Sequence, residues 1–181
     1  IISTDWGTRQ LVSIINTNND EKASIENIEL SWNKGFTIKG ISLTDLSGEK
    51  VLFSCERISS DASLLKILRG NKNFGTTNII EPMLQLEIED QELEPNISEE
   101  NFKKNVGSID HFAKYAAQVN ITDGRVAFTH PEMKPIVLAN MKAAFQLQPA
   151  DKIFSLSFKA TSEQGKQSGS VDLNSSLKGI S

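Results

Sequence analysis

Side chains suited to acid–base, nucleophilic or metal chemistry are few in this sequence. It has two histidines, His111 and His130, and one cysteine, Cys55. One thiol can build neither an intramolecular disulfide nor a cysteine metal site. Cys55 falls in an alternating run, where a small buried apolar residue is expected. Neither histidine has a Cys, Asp or Glu at metal-ligand spacing. His111 follows Asp110, but adjacent helical residues face different directions. "GNKNFG" at 70–75 lacks the Lys-Ser/Thr ending of a phosphate loop, and no G-x-S-x-G elbow occurs. The acidic run "EIEDQELE", 87–94, lacks the spacing of a calcium loop and reads as a solvated face. Only Asp45, Asp123 and His130 form a grouping worth testing for acid–base work, and no spacing brings them together. The expectation is therefore no catalytic residue, no metal and no cofactor: not an enzyme.

Composition narrows the class further. A chain of 181 residues with 38% hydrophobic and 23% charged residues has the balance of a folded domain, not of a disordered tail or a bundle of membrane spans. The net charge of −4 argues against nucleic acid, whose phosphates demand a basic face. Lys and Arg are scattered along the chain, so no patch for an anionic membrane is expected. The sequence begins at Ile1 and holds no signal peptide or long apolar run. It reads as a mature fragment, with any membrane anchor outside it.

Alternation is what the sequence is rich in. In "NIELSWNKGFTIKGISLTDLSGEKVLFSC", 27–55, the apolar positions are Ile28, Leu30 and Trp32, then Phe36 and Ile38, then Ile41 and Leu43, then Val51, Phe53 and Cys55. Successive side chains of a strand point to opposite faces, so this pattern predicts four half-buried strands with one apolar face. Short links at 33–35, at Gly40 and at 46–50 predict an antiparallel meander. The same alternation returns in Leu84, Leu86 and Ile88 after Pro82, and in a hairpin with Val119 and Ile121, the turn Asp123-Gly124, then Val126 and Phe128. Met141 to Leu147, Phe154 to Ala160 and Val171 to Leu177 continue it, and the last strand is expected to pass into a longer parent chain.

Helical spacing occurs three times. Leu11, Ile14 and Ile15 predict a helix over 4–16 that caps the end of the sheet. Leu64, Leu65, Ile67 and Leu68 predict a helix over 61–69, capped by Ser60 or Asp61, ended by Gly70 and covering one opening of the apolar face. Phe102, Val106, Ile109, Ala113 and Ala116 predict a third over 98–117.

The order of these segments resembles the AsmA-like/TamB (translocation and assembly module) family in its N-terminal region. The matching positions are Ser31-Trp32, Gly40 to Leu43, Asp45, Gly48, Leu64 to Gly70, Pro82, Leu84, Leu86 and Asp123-Gly124, and the likeness covers most of 3–177. The "dG..N" element common after the family's "P.l.l" strand is here only the loose "EDQELEPNIS". Chorein-type bridge-like lipid-transfer proteins are a more distant match. The resemblance implies a mainly β fold with a few helices: an antiparallel meander sheet curved into an open groove, a β-taco, with an N-terminal capping helix. A closed β-sandwich, a structural or adhesive domain with a sealed core, is the alternative that alternation alone equally allows. The resemblance further implies one N-terminal segment, 1–181, of a longer protein: helix plus first sheet over 1–97, a helical insertion over 98–117 and continuing strands over 118–181. Its groove would be lined by Ile28, Leu30, Ile38, Ile41, Leu43, Val51, Phe53, Leu84, Leu86, Val126 and Phe128. The implied partners are phospholipids or fatty acyl chains and an outer-membrane barrel protein. The implied place is the periplasm, with the parent chain anchored in the inner membrane.

Overall fold

Alternating residues become strands almost wherever they occur. The computed structural model describes residues 2–3, 9, 12–13, 22–87, 116–148, 153–164 and 167–178, and one ten-stranded sheet holds every strand among them. The strands are β1 (Ile2–Ser3), β2 (Lys22–Ser31), β3 (Gly35–Thr44), β4 (Val51–Ser60), β5 (Asn73–Ile80), β6 (Met83–Glu87), β7 (Ala116–His130), β8 (Met133–Gln148), β9 (Ile153–Gln164) and β10 (Gln167–Lys178). They lie in the order β1-β2-β3-β4-β5-β7-β8-β9-β10, with β6 between β4 and β7. The mainly β expectation holds.

Three expectations are corrected. The sheet is not a pure antiparallel meander, because β5 and β6 both run parallel to β7. Parallel neighbours need a crossover of a dozen residues or more, and residues 88–115 supply that length. Next, 27–55 holds parts of three strands, not four. β3 runs unbroken through Gly40, which takes φ +60° without ending it. Lastly, Asp123-Gly124 is no hairpin turn. β7 continues through it with Asp123 at φ +54°, and the chain turns back only at 131–132. Pro82 falls at a break, as its missing N–H demands. Glu81 N–H donates to the Thr122 carbonyl at 2.9 Å and Arg125 N–H to the Pro82 carbonyl at 2.7 Å, which keeps the ladder to β7 intact across the break.

The second expected helix is shorter than its pattern. It is α1 (Leu64–Leu68), and Ser63 caps it by accepting the Lys66 N–H, not Ser60 or Asp61. Asp61 instead accepts the Thr76 N–H at 2.6 Å, and Ser60 Oγ accepts the Ala62 N–H at 3.2 Å. Leu68 is 74% exposed, so it does not bury against the sheet as expected. Of the helix expected at 4–16, only Arg9, Val12 and Ser13 are described, and they are helical. The third expected helix lies outside the described residues except for Ala116 and Ala117, which open β7. His111 and the acidic run after Glu87 also lie outside them.

No large side chain among the described residues is fully buried, and the buried apolar residues are Ala23, Ile28, Cys55, Ala62, Ala139 and Ala160. Backbone closeness therefore matters more here than a deep core. At Gly35, φ +92°, an added β-carbon would run into the Ser60 carbonyl, whereas at Gly40 it would meet the flexible end of Glu26. Left-handed backbone alone costs a non-glycine residue roughly 1–2 kcal/mol. Gly40→Ala is expected to cost about that much, and Gly35→Ala more. Urea unfolding of the two variants checks the order; equal losses would remove the close approach from the account.

Candidate functional site

Side chains on directly paired residues share a face, so register shows what each face carries. Following the ladders from β2 gives Ile28, Ile38, Ile58, Ile79, Ile121, Ala143, Phe158 and Leu173, one from each of eight strands. Every member is apolar. The row crosses about 34 Å of sheet at ~4.8 Å per strand. The neighbouring row on the opposite face is Glu29, Thr37, Ser59, Asn78, Asn120, Ala144, Ser157 and Asn174. The sheet is thus amphipathic as a whole, across both its antiparallel and its parallel joints. On the apolar side the next row holds Leu30, Phe36, Val119, Phe145 and Leu156, with Ser60 and Thr77 between them. Those two hydroxyls lie 3.2 Å apart and satisfy each other.

A second apolar block lies further along the strands. It contains the row Leu43, Phe53, Leu84, Val126 and Leu138, the row Ile25, Ile41 and Cys55, and the trio Leu86, Phe128 and Ile136. Between the blocks the apolar positions change parity in each strand, as from Ile38 to Ile41 and from Ile121 to Val126. Left-handed backbone falls on that line: Gly40 at φ +60°, Glu81 at +51°, Asp123 at +54° and Asn140 at +52°. The ladders β7·β8 and β8·β9 shift register there. The line is a crease, of the kind by which bulges re-aim side chains.

Ten of the eleven expected groove residues fall in these blocks, and Val51, which pairs with Thr44, stands outside their rows. Ile28, Leu30 and Ile38 belong to the first block, and Ile41, Leu43, Phe53, Leu84, Leu86, Val126 and Phe128 to the second, with Val51 two residues along from Phe53. Ile28 is buried, while Leu30 and Leu86 are exposed, at 38% and 39%. The expected groove lining leaves out Ile58, Ile79, Ile121, Ala143, Phe158 and Leu173. Their alternation is legible, but only register shows that they continue the Ile28 row.

The acid–base grouping does not assemble. Asp123 and His130 are seven residues apart on β7, roughly 23 Å. Asp45 follows β3, separated from β7 by β4 and β6. His130 Nδ1 accepts the Glu132 N–H at 3.1 Å. Along the crease, register aligns Glu81 with Asp123, yet no three metal-ligating side chains come together among the described residues. Cavities of about 380 and 420 Å³ open among residues such as Glu29, Thr37 and Asn78, and Gln118, Gln146 and Ser155. They offer hydroxyls and amides, with Glu29 paired to Lys39 at 3.2 Å and Lys34 and Asp61 also lining the first.

Cys55 is 2% exposed, its Sγ 3.3 Å from the Ile80 carbonyl, and burial pushes its thiol up in pKa. It is therefore expected to resist a thiol reagent at pH 8 until the sheet unfolds; one equivalent titrated in the native state would refute that. Asp45 organises the β3–β4 turn. Its carboxylate accepts the Ser47 hydroxyl at 2.7 Å and the N–H groups of Gly48, Glu49 and Lys50 at 2.9–3.2 Å. The Ser47 hydroxyl, then the Lys50 N–H, hold its pKa below the usual carboxylate range. The stabilisation is present above the unfolded value, about 4, and is lost as pH falls through the lower folded value. Asp45→Asn should melt below the wild type at pH 7, with the gap shrinking under acid. A gap independent of pH would place the effect elsewhere.

The chain matches no family model, and no curated protein matches it.

Proposed function

We propose that this chain is a non-enzymatic segment of a lipid-carrying scaffold of a cell envelope, with its sheet curved into an open trough for acyl chains. The observation that carries the reading is the Ile28-to-Leu173 row, apolar on all eight strands, on a sheet with no second sheet packed on it among the described residues. A sealed core would bury both ends of this row; Ile28 is buried, but Leu173 is 50% exposed, as is Leu30 of the neighbouring row at 38%. Contiguous apolar surface of this kind marks binding sites rather than ordinary monomer surface. The second block, from Leu43 to Val126, lies further along the same strands, beyond the crease. The trough then offers acyl chains about 25 cal/mol for each Å² covered and needs no chemical step.

The resemblance to the AsmA-like/TamB family points the same way. It suggests phospholipid movement between inner and outer membranes, a periplasmic position, an inner-membrane anchor outside this segment and an outer-membrane barrel partner.

Native mass spectrometry of the purified protein, with uptake of a fluorescent fatty acid, tests the reading. Co-purified lipid and saturable uptake are expected. Leu173→Glu should weaken uptake by roughly tenfold, the scale of one lost leucine contact, without lowering the melting temperature. A lipid-free protein that takes up no probe would sink the proposal and leave the sealed β-domain in its place.

A further inference from the structure

Folding ties Lys34 to a segment, 66–72, that already holds three basic residues. The β2–β3 turn and α1 are joined through one carbonyl: Trp32 O accepts the Leu65 N–H at 3.1 Å and the Ser63 hydroxyl at 3.1 Å. This join ties the turn that carries Lys34 to the helix that carries Lys66, with Arg69 and Lys72 following it, all four exposed. None of the four forms an ion pair with a described residue, although Lys34 lines one cavity together with Glu29 and Asp61. Among these cations stand Trp32, 54% exposed, and Leu68, 74% exposed. The protein as a whole carries −4, so this corner opposes the charge of the rest.

We infer that this corner docks on an anionic phospholipid membrane. Four basic residues reach the lower end of the range that reads as anionic-lipid binding, each strengthening attachment about fivefold near the surface. A tryptophan flanked by an exposed leucine suits the boundary between headgroups and tails. Nucleic acid is a poorer fit, since it would leave Leu68 without an apolar partner. The proposal departs from the expectation of no membrane patch, because Trp32 and Leu65 are in contact only after folding. The inference stands on this corner alone and does not require the trough.

Vesicle flotation tests it. The protein should float with vesicles of phosphatidylglycerol and phosphatidylcholine in equal parts and not with phosphatidylcholine alone. Binding should fall as salt rises from about 0.05 to 0.5 M. Lys66→Glu with Arg69→Glu should reduce binding by more than tenfold. Addition of vesicles should shift tryptophan emission to the blue, and Trp32→Phe should remove that shift. All these positions are exposed, so an unchanged melting temperature shows that the variants fold. Equal binding to neutral vesicles, no binding at low salt, undiminished binding by the charge-reversed variant, or retention on heparin without vesicle binding would each overturn the inference. A protein that floats but takes up no fatty acid would keep this inference and lose the trough.

Discussion

One register is kept from β2 to β10 on one side of the crease, so each apolar side chain lies level with an apolar neighbour on the next strand. The rest of the structure depends on this match. Among the described residues no large side chain is fully buried. Main-chain ladders and side-by-side apolar contacts must therefore do what interior packing does elsewhere. A one-residue slip in any strand would put that strand's polar set into the apolar row. The parallel joint at β5 and β7 is the severest test of the match, because β7 meets β5 only after the long connection 88–115. Ile79 nonetheless sits opposite Ile121, and Thr77 opposite Val119.

The crease lets strands longer than usual obey two alternation phases. β7 and β8 have 15 and 16 residues, well beyond the five or six typical of strands. A left-handed residue interrupts the alternation without ending the strand. Asp123 and Asn140 are of the types that tolerate such backbone best. Glu81 is less suited, but it precedes Pro82, and a residue before proline is already pushed out of the right-handed helical region.

Much of this was legible in the sequence because alternation is local. Ile28 and Leu30, or Val126 and Phe128, announce a face without reference to any partner. What was not legible depends on distant partners. Asp123-Gly124 has the composition of a hairpin turn, yet a β-carbon on Gly124 would sit 3.2–3.3 Å from Pro82, Ile121 and Met141. That crowding belongs to a continuous strand between two neighbours. The parallel pairing and the full length of the Ile28 row escape for the same reason, and so does the Trp32 corner, whose two halves lie some thirty positions apart.

The placement of that corner relative to the rows has a geometric consequence. Trp32 and α1 stand where β2 and β4 end and β3 and β5 begin. Ile28 is three residues from the end of β2, and Ile38 three from the start of β3, about 10 Å up the strands. Rows run across strands, so a sheet standing on this corner holds its Ile28 row roughly parallel to the surface beneath. The Leu30–Phe36 row lies between, and Leu30 is already open to solvent. An acyl chain leaving a bilayer under this corner would meet Leu30 and Phe36 first, then the Ile28 row. From there each step across the sheet is one strand spacing onto another apolar side chain. On the proposed lipid-carrying reading, such a path is graded, without a deep well to trap its cargo.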